Sequence, residues 1–236
     1  RICASAVSSS RTWSGSAAAA GLAPLAAAAA AATCASSGST AARGETGGVL
    51  ARAELAAAPA SASAAPGAPS RAVGAGVDEV NVVVCVSDTF SGRNQNVTAD
   101  EAMRMAGDVV DVARARGLAT TITLATAFGC PFEGEVDPAR VAEFARRSAD
   151  SGAQELCLAD TIGVGAPAQV ADLTARTRDL LGGDAPRLRF HFHNTRNTGF
   201  ANAYAAVVEG VDVLDASAGG IGGCPFAPKA TGNIAT

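Results

Sequence analysis

Residues Arg189–Thr195 read RFHFHNT and hold both histidines of the 236-residue chain. In an extended strand, side chains two positions apart share a face. His191 and His193 therefore project together, while Phe192 points the other way, toward a helix layer. Two imidazoles on one strand face can share one divalent cation. The alternative is a pair of core histidines bonded to their neighbours, and a place near the C-terminal end of a parallel strand favours the cation.

Working outward, strand and helix patterns alternate. EVNVVVCVSD (79–88) and TTITLATAFG (120–129) read as buried strands by length and β-branching, and ELCLAD (155–160) as a third. LRFHFHNT is the fourth strand and VDVLDASAGG (211–220) the fifth. Between them lie helices with recognisable ends. Thr98 and Glu101 form a capping box, and Gly117 is a stop. Asp137 is an N-cap ahead of Pro138, with the helix running up to Gly152. Further helices are predicted from about Pro167 to Leu181 and from about Thr198 to Glu209. Such alternation predicts a parallel sheet. An open doubly wound sheet and a (β/α)8 barrel both fit, although no G-x-G-x-x-G follows the first strand, which counts against a dinucleotide fold.

The chain carries a net charge of -4 and a pI near 5.2, so no basic footprint points to nucleic acid or an anionic membrane. No apolar run suits a membrane span. Cys85, Cys130, Cys157 and Cys224 sit in or beside apolar β-like runs at irregular spacing. This suits free thiols in a reducing compartment better than a disulfide framework. Residues 1–72 differ sharply from the rest. They are almost wholly Ala, Ser, Gly, Arg, Pro and Thr without sustained periodicity, too poor in apolar surface to offset the entropy of ordering. They read as a natural disordered extension, as an organelle transit peptide, or as GC-rich DNA translated in a wrong frame.

Other chemistry-bearing stretches sit at the ends of further strands. These are LADTIGVG (158–165) and the glycine-rich GGIGGCPFAPKATGN (219–233), with Cys224 at its centre. A thiol in such a loop can reach a substrate, or it is simply a buried, inert thiol. Cys130, in AFGCPFEG, reads as the inert kind.

Together AFGCPFEGEV, LADTIGVG, HFHNT and GGCPFA…TGN resemble the 3-hydroxy-3-methylglutaryl-CoA lyase family, metal-dependent lyases with a TIM-barrel fold. The resemblance covers roughly residues 73–236, with four motifs in family order. It implies a partial (β/α)8 barrel of about five C-terminal βα units, strands four to eight of the family, behind the low-complexity segment 1–72. It implies His191, His193 and Asn233 as metal ligands for Mg2+ or Mn2+, Cys224 and Asp160 as catalytic residues, and Asn94 and Thr161 near the substrate. For Asp160 a structural hydrogen bond closing its turn is an equal alternative, and for Asn94 a turn-forming role is the stronger one. The implied reaction cleaves 3-hydroxy-3-methylglutaryl-CoA, or a related 3-hydroxyacyl-CoA, to acetyl-CoA and acetoacetate. A condensing synthase or aldolase of the same superfamily and a non-catalytic fragment are the other readings. An acyl-CoA substrate and a homodimer of the intact fold are the implied partners. The compartment is the cytoplasm, or the mitochondrial matrix if the N-terminus is a transit peptide.

The sequence also departs from the family. The Arg-Asp-Gly motif of the first strand, which supplies a metal-binding aspartate, occurs nowhere, and Lys229 stands where the family has glycine. Family-like sequence begins abruptly near GAGVDEV and stops at Thr236, as in a chain aberrant at its N-terminus and truncated at its C-terminus. Five units cannot close an eight-stranded barrel, so two exposed edges, an exposed apolar interior and impaired activity are predicted.

Overall fold

The computed structural model describes residues 2–5, 77–224, 226–227 and 230–236. Readings that fall on the rest of residues 1–72, or on Lys229, lie outside the described residues. Strands β2 (Glu79–Cys85), β3 (Ala119–Ala125), β4 (Glu155–Asp160), β5 (Arg187–Phe192) and β6 (Val213–Ser217) pair in parallel, each with the next. A short strand, β1 (Ile2–Ser5), pairs in parallel with β6 and closes the order β1-β6-β5-β4-β3-β2. This curved α/β sheet matches part of a TIM barrel. The sequence reading did not foresee β1, which covers β6; among the described residues the sheet still ends in two unpaired strands, β1 and β2.

Helices α2 (Ala99–Arg114), α3 (Pro138–Asp150), α4 (Pro167–Leu181) and α5 (Gly199–Val208) cross between the strands. Their starts follow local chemistry. Thr98 Oγ1 accepts from the Glu101 amide at 3.2 Å, while Glu101 Oε2 accepts from the Thr98 amide at 2.9 Å. Asp137 Oδ1 accepts from the Ala139 amide at 2.9 Å, with Pro138 preset for the first turn. A further helix, α1 (Asp88–Gln95), stands where SGRNQN suggested a turn. Ser87 caps it through the Phe90 amide at 3.2 Å, and the chain turns only at Asn96, whose φ is 59°.

The two faces of the sheet differ. Val80, Val82, Val84, Ile122, Leu124, Leu156, Leu158, Leu188, Phe190 and Phe192 are buried against the helices and make the main core. Phe190 and Phe192 stack at 5.5 Å, and Phe128 tilts against both at 5.9 and 5.8 Å, a geometry that adds about 1 kcal/mol per pair beyond burial.

The other face corrects the expected apolar interior. Thr121 Oγ1 donates to Glu79 at 2.6 Å and Thr123 Oγ1 to Asn81 at 2.9 Å. Arg189, only 1% exposed, pairs with Glu155, with Glu79 at 3.6 Å and with Asp215 at 3.4 Å, and Arg187 pairs with Glu155 at 3.4 Å. Buried charge is tolerated only when paired, and here each charge finds its partner on another strand, Glu79 reaching Arg189 across two intervening strands. Burial nonetheless pushes the Glu155 carboxyl up, with Arg189 opposing the shift.

Candidate functional site

The candidate site stands at the C-terminal ends of β4, β5 and β6. His191 ends the inward row of β5, and His193 follows just beyond the strand. Their ring centroids lie 5.2 Å apart at 62°. The shared face expected from their spacing is therefore formed.

The final segment of the chain completes the group. Residue 233 forms an antiparallel bridge with His193. The Ile234 amide donates to the Phe192 carbonyl at 3.1 Å, and the Asn194 amide to the Gly232 carbonyl at 3.0 Å. Asn233 is thus carried to the histidines across 40 positions of sequence. Its Nδ2 donates to the Ile221 carbonyl at 3.0 Å, which orients the amide, and its Oδ1 is buried with no hydrogen-bond partner. An orphaned buried acceptor costs about 1–3 kcal/mol unless something electropositive meets it.

The imidazoles are held in the form that ligation requires. His193 Nδ1 lies 2.9 Å from the Thr231 carbonyl. A carbonyl only accepts, so Nδ1 carries the proton and Nε2 the lone pair. Burial, then the neighbouring His191, push His193 down to about 4, against the Thr231 bond. The ring is neutral above that pH, as a metal ligand must be. Among the described residues no group of three His, Cys, Asp or Glu side chains is arranged to hold a metal. The donor set is two imidazoles and one amide oxygen. The orphaned Oδ1 and the fixed tautomer fit a cation.

Asp160 is wholly buried, and both its carboxylate oxygens accept backbone amides, Oδ1 from Val164 and Oδ2 from Gly165, each at 2.9 Å. Desolvation pushes its carboxyl up, while those amides and His191 oppose the shift. Its geometry is that of the turn-closing alternative, within electrostatic reach of His191. Thr161 Oγ1 accepts the Thr126 amide at 2.7 Å and ties the end of β4 to that of β3. Thr126 sits at φ 61°, a costly conformation for a β-branched residue. The same loop meets the segment after His193 closely. A β-carbon at Gly163 would come within 2.7 Å of the Thr195 amide nitrogen, and φ there is 64°.

Cys224 lies apart from the histidines' donor set. It packs, half-buried, against an apolar cluster of Cys85, Phe90, Ala125, Cys130 and Ala227 over the β2–β3 side. Burial pushes its thiol up, and the amides of Phe226 and Ala227 partly offset this. Asn94 belongs to the last turn of α1, not to a loop turn, and its Nδ2 donates to Cys85 Sγ at 3.5 Å. It therefore neighbours the Cys224 cluster. Cys130 is buried, its sulfur 2.9 Å from Ser87 Oγ. Cys85, Cys130, Cys157 and Cys224 are free.

Sequence reasoning missed Asp215, whose Oδ2 lies 3.2 Å from His191 Nδ1. Its signal was an acidic residue inside an otherwise apolar strand, VLDAS; its partner follows only from the register that sets Asp215 opposite His191.

Comparison with known proteins agrees with this architecture. A family model described as HMGL-like matches residues 49–236. The (R)-citramalyl-CoA lyase of Chloroflexus aurantiacus is 43% identical over 166 residues, covering 70% of this chain and 51% of that protein. The mitochondrial hydroxymethylglutaryl-CoA lyase of Mus musculus is 40% identical over 166 residues, covering 70% and 50%. The structure of an HMG-CoA lyase from Acinetobacter baumannii, in complex with coenzyme A and 3-methylmalate, superposes with a TM-score of 0.66 at 36% identity, covering 71% of this chain and 54% of that one. The chain thus spans about half the length of the curated relatives it matches.

Proposed function

The chain belongs to the HMGL-like family, and from that premise we propose that it carries the metal-binding half of a carbon–carbon lyase site. The substrate is 3-hydroxy-3-methylglutaryl-CoA or a related 3-hydroxyacyl-CoA, and the products are acetyl-CoA and a keto acid, acetoacetate for the former. One observation carries the reading: at the C-terminal strand ends, where barrel enzymes place their chemistry, His191 and His193 face each other, and Asn233, whose buried Oδ1 has no hydrogen-bond partner, is bridged to His193. The names of the relatives, and the coenzyme A bound in the Acinetobacter structure, support an acyl-CoA substrate.

His191, His193 and Asn233 would hold Mg2+ or Mn2+. When bound, such an ion polarises the hydroxyl and carbonyl oxygens of a substrate. The chain's own residues supply the rest. Asp160 fixes the 161–165 loop against the ligand-bearing segment. Cys224, its thiol held up by burial, is protonated at neutral pH and suited to deliver a proton to the carbanionic carbon left by bond cleavage. Asn94, beside the same cluster, is proposed to contact the acyl-CoA.

We further propose a weakened form of this activity for the chain as given, which carries no Arg-Asp-Gly. No helix among the described residues is long and apolar enough to cross a membrane. The test is to incubate the chain with 3-hydroxy-3-methylglutaryl-CoA and citramalyl-CoA and follow acetyl-CoA release. Release that needs Mg2+ or Mn2+ and stops with EDTA is expected, at a rate below those typical of enzymes. No release together with no Mn2+ binding would overturn the proposal.

A further inference from the structure

Asp215 faces His191 across the β5–β6 ladder. Its two oxygens face different directions: Oδ2 lies 3.2 Å from His191 Nδ1, and Oδ1, which makes no hydrogen bond, lies at ion-pair distance, 3.4 Å, from the Arg189 guanidinium. The carboxylate cannot turn without losing one of them. Arg189 is in turn fixed, 1% exposed, between Glu155 and Glu79, and Thr121 Oγ1 donates to Glu79 at 2.6 Å. A continuous set of charge-assisted contacts therefore runs from the floor of the concave face to the imidazole of His191.

We propose that Asp215 is the positioning residue for His191, holding its ring as the Nδ1–H tautomer so that Nε2 presents its lone pair to the cation. This rests on the metal reading of the site. The two histidines are held differently. His193 leans on a backbone carbonyl of the 230–236 segment and moves with it. His191 leans on a carboxylate rooted in the sheet. A charged acceptor on the far nitrogen also makes the imidazole a better donor to a metal.

Two readouts on 15N-labelled full chain test this. Long-range 1H–15N spectra of metal-free protein report the His191 tautomer, and Mn2+ titration followed by EPR reports affinity. The wild type is expected to show the Nδ1–H form at His191. D215A should release the ring to the Nε2–H form that dominates in free histidine, leave His193 unchanged, and weaken Mn2+ binding about 10- to 100-fold. D215N keeps the shape and an acceptor oxygen, so it should retain the tautomer and lose affinity by a smaller factor. An unchanged His191 tautomer in D215A overturns the proposal. So does wild-type Mn2+ affinity in D215N, the variant that decides if D215A does not fold. A wild type that binds no Mn2+ refutes the metal reading instead, and the metal-free spectra still report on the positioning.

Discussion

Phe192 and His193 are adjacent in sequence and serve opposite faces of the sheet. Phe192 is fully buried against Phe190 and Phe128 on the helix side. His193 is buried on the concave side, where its ring meets His191 and the Thr231 carbonyl. The convex face is mainly Val, Ile, Leu and Phe, with Thr120 near one end and Asp160 at the other, while the concave face carries Glu, Asn, Thr, Arg, His and Asp among Val83, Cys157 and Ala159. A strand with strict period two can carry both programmes at once. One face holds the fold, and the other is free to hold charges that a core would reject.

The largest expected effect breaks the convex side. F192A should lower unfolding stability by about 3–5 kcal/mol through lost burial and an unfilled cavity, measured by denaturant titration of metal-free protein. If the loss is under 1 kcal/mol, the two faces are not divided as described. On the concave side the matching experiment is acidification. Burial holds His193 at about 4 in the folded state, against 6.5 for the unreacted group. The unfolded chain therefore binds more protons between those values, so the contribution of His193 is present above pH 6.5 and lost as pH falls toward 4. The loss should approach about 3 kcal/mol, and H193Q should flatten that part of the stability profile.

A smaller effect separates site from scaffold on the concave face itself. N233A removes an oxygen that bonds nothing in the protein, together with one Nδ2 hydrogen bond to the Ile221 carbonyl. It should leave metal-free stability within about 1 kcal/mol while lowering Mn2+ affinity about tenfold, or about 1.4 kcal/mol. Equal losses in both would make Asn233 structural. The smallest effect lies away from both faces. T98A removes the capping box of α2 and should cost about 1 kcal/mol, with Mn2+ affinity unchanged.

The division of the sheet also explains what could be read in advance. The first strands announced themselves as short apolar, β-branched runs, and α2 and α3 by their caps, because these signals are local. His191 and His193 were legible as a pair for the same reason. Asn233 was legible only through family resemblance, since a bridge across 40 positions leaves no trace in spacing. Asp215 needed the register of two strands. The polar interior was misjudged because Glu79, Asn81, Glu155 and Arg189 were each read within their own strand; what makes their burial tolerable is their pairing across strands. Helix α1 was missed because its sequence is polar and its start depends on Ser87.

From β2 to β6, spatial order repeats chain order. During synthesis each βα unit can therefore dock on the one already made, with no long wait for a distant partner. The ligand group follows a different schedule. His191 and His193 arrive with β5, yet the carbonyl of Thr231 that fixes one ring and the amide oxygen of Asn233 come only with the last residues described. A nascent chain can hold most of its sheet before it can hold a metal, so a ribosome that stalls short of Thr231 releases a scaffold with an unfinished centre.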